Sequence, residues 1–177
     1  MTTLATTMGQ PAPGEYDPYY GRYISLINSD DIASTLEKQA QDTQALLRPL
    51  TAQQANFRYA PGKWSVKEMQ GHVNDTERIM SYRALRIARG DKTPLHGFEQ
   101  DDYIPAGKFD NRTLADLLDE FAAIRGATVQ LVRHFDAEIG VRRGTASEKP
   151  ITARALVYLI AGHELHHRRV LQEKYLK

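Results

Sequence analysis

The sequence predicts an all-α protein, a four-helix bundle with an N-terminal arm and a long connection between its second and third helices. Three observations predict it. Four long segments repeat apolar residues at helical spacing, each opens on residues suited to a helix start, and no segment shows a persuasive strand pattern. At 177 residues the chain fits one domain, which buries about 70% of the surface its unfolded form exposes.

Residues 1–28 carry three of the eight prolines, four tyrosines and few periodic apolar positions, so they read as an arm, with Tyr23 to Ile27 free to pack on the bundle. The bundle itself is assigned to residues 29–177. Asp30 and Asp31 suit a helix start, and Ile32, Leu36, Ala40, Thr43, Leu47 and Leu50 then recur at helical spacing to about Pro49. Ala60-Pro61-Gly62-Lys63 is a turn, after which Ser65 and Glu68 form a capping box for a second helix reaching about Arg89, stopped by Gly90. Asp91 to Arg112 is the long connection, of the kind that is functional or crosses between distant helix ends. Thr113 and Asp116 precede a third helix, whose inward stripe includes Leu117, Phe121, Thr128 and Phe135. Gly140 to Pro150 reads as a loop or a small hairpin, and Thr152 caps a last helix continuing through Tyr175.

Composition narrows the function. Lys+Arg number 23 against 22 Asp+Glu, so no large basic field points to nucleic acid or to an anionic membrane. The absence of cysteine excludes disulfides, thiolate metal sites and a cysteine nucleophile together, and fits a reducing compartment. Neither a signal peptide nor a run of about 18 apolar residues is present. A cytoplasmic protein is therefore expected.

On a helical wheel of about 100° per residue, Leu156, Leu159, Ile160, Val170 and Leu171 define the buried stripe of the last helix, with His163 and His167 in its middle. Imidazoles four residues apart point the same way and can share one metal ion. On the second helix His72 lies within the inward arc of Met69, Val73, Thr76, Met80 and Ile87, beside Arg83. Buried polar groups are costly unless partnered, and a divalent transition metal partners three histidines at once. Three protein ligands leave a position for water or substrate, the pattern of reactive zinc sites. Such an ion activates a bound nucleophile.

Other readings compete. His163-Glu164-Leu165-His166-His167 matches the HExxH protease motif, but only ten residues follow His167 and no edge strand is predicted to align a peptide. A di-iron carboxylate bundle needs two Glu-x-x-His motifs, and only Glu164 with His167 supplies one. Single histidines are more often satisfied core or surface groups; His96, His134 and His166 are read as such, Trp64 as a packing anchor, and Arg168-Arg169 as a solvated face. Arg83 is read evenly as an anion-binding group or as the partner of Glu77, Glu120 or another carboxylate.

Two blocks, Tyr59-Ala60-Pro61-Gly62-Lys63-Trp64-Ser65-Val66-Lys67-Glu68 leading to Gly71-His72, and Ala161-Gly162-His163-Glu164-Leu165-His166-His167, resemble the DinB-like superfamily of metal-binding four-helix bundles, also described as YfiT-like metal-dependent hydrolases. Gly90-Asp91 and Pro94-Leu95-His96-Gly97-Phe98 add to the likeness, which spans roughly residues 30 to 175. The resemblance implies a metal, zinc or nickel, held by His72, His163 and His167. It also implies a hydrolase or thiol S-transferase acting on a small molecule, with a low-molecular-weight thiol as partner, and a homodimer. Glu164 and Arg83 are the expected groups for proton handling and anion binding. A non-catalytic, stress-related metal-binding module is the alternative.

Overall fold

In the computed structural model, residues 7–176 are described, so residues 1–6 of the expected arm lie outside the described residues. Eight helices and one hairpin follow in order: α1 (Gly21–Ile24), α2 (Ile32–Leu47), α3 (Ala52–Ala55), α4 (Val66–Ala88), α5 (Gln100–Gly107), α6 (Leu114–Val132), α7 (Ala137–Gly140), β1 (Arg143–Ala146), β2 (Lys149–Thr152) and α8 (Ala153–Lys174). The long helices α2, α4, α6 and α8 form the bundle.

Side-chain caps start all four. Asp31 accepts from the Ser34 amide, Thr113 from Asp116 and Thr152 from Ala155, while Ser65 and Glu68 close a reciprocal capping box. Each cap satisfies an amide that the helix cannot pair internally, an effect of about 1 kcal/mol. Gly90 ends α4 in the left-handed region, where glycine is unstrained.

The central pair is α4 and α8, whose contact is the most extensive in the molecule. From Ala155 to Glu164 every residue of α8 is buried, so its first half is enclosed by α1, α2, α4 and β2 rather than facing one neighbour. A run that is apolar all round forms such a core helix. Met80, Ile87, Leu36, Val129 and Leu156 belong to one apolar cluster, and Leu47, Met69, Leu118 and Leu171 to a second at the other end.

Three local features add to the sequence reading or decide between its alternatives. Within the 91–112 connection lies α5, whose Ile104 packs with Phe109 and Leu117 in a third cluster beside Trp64. Eight residues with one buried anchor are too short to show a period. Next, 140–150 resolves to the hairpin, with Arg143 opposite Thr152 and Ala146 opposite Lys149. Its turn residues Ser147 and Glu148 both take positive φ, 50° and 63°, the backbone of a type I′ turn built without its usual glycine.

The N-terminal segment is the third. Met8, Ile24 and Ile27 belong to the principal core cluster. Gly162 makes this possible, because a Cβ there would overlap the Tyr23 carbonyl lying against α8. The sequence left Tyr23 to Ile27 free to pack on the bundle, and Ile24 and Ile27 do so; Met8 is the addition, on irregular backbone that carries no periodic signal.

Glu15 fastens the same segment. Its carboxylate accepts from Thr152 Oγ1 at 2.9 Å and from Arg154 Nε at 2.7 Å. Burial by itself raises this carboxyl, but Arg154, the Ala12 amide and Thr152 together outweigh it and hold the pKa at about 2, against 4.5. The folded value is the lower one, so this stabilisation is present above pH 4.5 and is lost as pH falls toward 2. We expect Glu15→Gln to cost about 1–2 kcal/mol at neutral pH, reduced from the full linkage value by solvent screening. The difference between variant and wild type should vanish near pH 2 in urea titrations. A constant difference across that range would refute it.

No helix among the described residues is long and apolar enough to cross a membrane.

Candidate metal centre

His72 comes from the second turn of α4, His163 from the middle of α8, and His167 one turn later. Their rings meet: His72 Nε2 lies 3.0 Å from His163 Nε2, and His167 Nε2 lies 3.1 Å from it. All three ring centroids are within 4.9 Å of one another. Residues 91 positions apart therefore present nitrogens to a single point.

Both helices carry a glycine just before the first of their triad histidines. At Gly71 the Phe109 ring occupies the space of a Cβ, and at Gly162 the Tyr23 backbone does. The two glycines let neighbouring segments close against α4 and α8 beside the triad. Trp64 lies over His72 with centroids 4.9 Å apart. Tyr23 meets His163 edge-on at 5.5 Å and His166 at 5.2 Å.

Electrostatics keep the imidazoles neutral. Burial pulls His72 down to about 4, and burial followed by the other histidines pushes His163 and His167 well below 6.5. Neutral rings hold lone pairs, as metal coordination requires. Three neutral imidazoles cannot satisfy one another fully across such distances, because each ring has one proton for two nitrogens. His167 Nδ1 is also buried without a hydrogen-bond partner. Imidazole nitrogens around one tetrahedral zinc at about 2.05 Å stand about 3.3 Å apart, close to the separations here. The donor set fits a divalent transition metal.

Of the triad, His163 lines a cleft of about 300 Å³, together with Thr76, Met80 and Arg83 of α4 and with Tyr20 and Tyr23. A larger groove of about 530 Å³ runs along the outer face of α4. It contains none of the three histidines; its Arg78 and Arg86 are paired with Glu120 and Asp91, and its Arg83 lines both the groove and the cleft.

Glu164 sits elsewhere. Its Oε1 accepts a hydrogen bond from Thr43 of α2, with Arg168 at 3.7 Å, and it does not line the cleft. Burial raises its pKa, opposed by Arg125 and Arg168. One position along a helix turns a side chain by about 100°, which is why Glu164 faces α2 while His163 faces α4. This geometry gives the protease reading of HExxH no support. It also gives Glu164 no contact through which to handle a substrate proton.

Arg83 makes neither of the anticipated ion pairs: Glu77 is held by Arg125, and Glu120 by Arg78 and Arg112. His96 and His134 are exposed, as expected, whereas His166 is half-buried between Tyr23 and His167. Arg168 is not a solvated residue; it is largely covered and lies 3.2 Å from Asp42. Arg125 and Gln39, which hold the polar interior beside Glu164, escaped the sequence reading. Arg125 lies four residues after Phe121 and three before Thr128, on the inward stripe of α6, and that position was the available signal.

Comparison with known proteins accords with this geometry. The DinB superfamily matches residues 35–171, and the chain belongs to it. Among solved structures it is similar to YfiT from Bacillus subtilis, described as "a probable metal-dependent hydrolase with an unusual four-helix bundle topology". That likeness has a TM-score of 0.74 and 18% identity, covering 81% of this chain and 83% of the other. It establishes a shared fold. No curated protein sequence matches the chain.

Proposed function

We propose that this chain is a metal-dependent enzyme acting on a small molecule, a hydrolase or a thiol S-transferase, with His72, His163 and His167 holding one divalent ion. The observation that carries the reading is the convergence of three neutral imidazole nitrogens, one of which, that of His163, belongs to a residue lining an open cleft. Zinc or nickel suits this all-imidazole donor set. When bound, such an ion lowers the pKa of a coordinated water or thiol and polarises an electrophile. The metal-dependent hydrolase description of YfiT agrees with this choice of chemistry.

The remaining tasks fall to the protein. Trp64 and Tyr23 fix the planes of His72 and His163 by packing against them. Tyr20, Tyr23 and Met80 line the cleft. Glu164 keeps α8 against α2 through Thr43.

The test is a panel of small esters, amides and electrophiles, with and without low-molecular-weight thiols, assayed with metal-stripped and zinc- or nickel-reloaded protein. Turnover should appear only on reloading and should disappear in His163→Ala. Equal turnover in stripped and loaded protein would remove the ion from the reaction. A non-catalytic ion that clamps α4 to α8 predicts instead that stripping unfolds the chain.

A further inference from the structure

We infer that Arg83 forms an oxyanion subsite at the far end of the cleft, so that the substrate is a monoanionic small molecule spanning from the triad to this guanidinium. The inference rests on the proposed function of the triad for its reactive end.

Arg83 is 3% exposed. Every other buried or largely covered arginine has a carboxylate: Arg125 is held by Glu77, Arg154 by Glu15 and Arg168 by Asp42. Among the described residues no carboxylate lies within the 4 Å of an ion pair with Arg83. Its Nη2 donates to the His96 carbonyl at 2.6 Å and to Ser147 Oγ at 3.1 Å, and its Nη1 faces Met80 Sδ at 3.7 Å. Phe98 lies beside it at 5.8 Å. These neutral partners orient the fork without neutralising it, and a buried charge without a counter-ion is costly.

The same guanidinium lines the cleft that holds His163. Two ordinary structural partners fix its position, and Ser147 reaches it from a backbone held at positive φ. Local strain of this kind, about 1–3 kcal/mol, persists where surrounding contacts over-determine it. Arginine binds carboxylate and phosphate by paired N–H donors. From Thr76 to Arg83 the cleft follows seven residues of α4, about 10 Å of helix rise, along Met80 and opposite Leu159. That length suits a small, partly polar molecule with its anion at Arg83 and its reactive end toward His163, because Thr76, Gln100 and Ser147 share the lining with Met80 and Leu159. Glu99 and Asp101 are exposed and line the same cleft, so negative charge is opposed everywhere in it except against the Arg83 guanidinium.

The test uses hexanoate, hexanol and hexyl phosphate with metal-free and zinc-loaded protein, following the side-chain Nε–H resonance of Arg83 by NMR, assigned from its loss in Arg83→Lys. Hexanoate should shift this resonance and bind about ten- to hundredfold more tightly than hexanol, in both forms of the protein. Arg83→Gln should bind the two equally. Tighter binding of hexyl phosphate, which carries nearly two negative charges at neutral pH, than of hexanoate overturns the monoanionic assignment. Equal affinity of wild type for hexanoate and hexanol, or an unmoved Arg83 resonance, overturns the proposal, and neither result needs the variant to fold. Failure of zinc to bind while hexanoate still moves Arg83 removes the metal function and leaves the subsite.

Discussion

Replacing Arg125 by methionine is expected to lower stability by about 3–5 kcal/mol, the cost of leaving a buried charge unpaired. Arg125 and Glu77 are 1% and 2% exposed and meet through two parallel hydrogen bonds, Nε to Oε1 at 2.8 Å and Nη2 to Oε2 at 2.9 Å. Arg125 also donates to the Leu36 carbonyl at 3.0 Å, so it joins α6 to α2 as well as to α4. A second acid feels it: Glu164, whose charged form Arg125 favours against burial. Losing the arginine therefore strands two carboxyl groups, whereas Glu77→Gln leaves Arg125 with Glu164 nearby. The single arginine variant should be the worse of the two. The double variant Arg125→Met with Glu77→Met should recover most of the loss, since apolar replacement of a whole buried pair is often nearly neutral. Urea unfolding of wild type, Arg125→Met, Glu77→Met and the double variant gives the coupling energy directly. A loss below about 1 kcal/mol for Arg125→Met would show that water reaches the pair.

That polar interior marks where sequence reading reached and where it stopped. Helix starts were legible because caps are local: Asp31, Ser65, Thr113 and Thr152 each act on an amide within three residues. Inward stripes were legible where the buried residues are apolar. On α2 they are not all apolar, since Gln39 is buried and donates to the Ala161 carbonyl at 3.0 Å, while the wheel favoured Ala40. A glutamine faces inward there because α8 offers it an acceptor, and nothing within α2 encodes that acceptor. Glu164 misled for the opposite reason: the HExxH spacing is satisfied locally, but the third histidine arrives from α4 rather than from downstream. The N-terminal segment and the 91–112 connection depend on contacts with distant residues, such as Tyr23 against Gly162 and Phe109 against Gly71. Pairings of that kind are tertiary facts written in two distant places.

Substituting His163 by alanine is expected to reduce zinc affinity by at least about a hundredfold while the bundle stays folded. His163 is the hub of the cluster, since the short Nε2 contacts of both His72 and His167 are made to it. Its removal leaves two imidazoles on different helices and widens the coordination gap to water. Folding should survive because α4 and α8 are held together by apolar residues on both sides of the site, Met80 and Leu156 in one cluster and Met69 and Leu171 in the other. Binding to the folded state alone stabilises by RT ln(1 + [L]/Kd), about 2.7 kcal/mol at a hundredfold excess over Kd. For a chain of this length that corresponds to a rise of roughly 5–10 °C in melting temperature. Wild type should show this rise with zinc, and His163→Ala should not. His166→Ala is the control, because His166 stands outside the set of convergent nitrogens and packs on Tyr23 instead. A zinc-dependent shift retained in His163→Ala, or lost in His166→Ala, would place the ion somewhere other than the triad. Agreement with both arms would assign the binding energy to the nitrogens that α4 and α8 bring together.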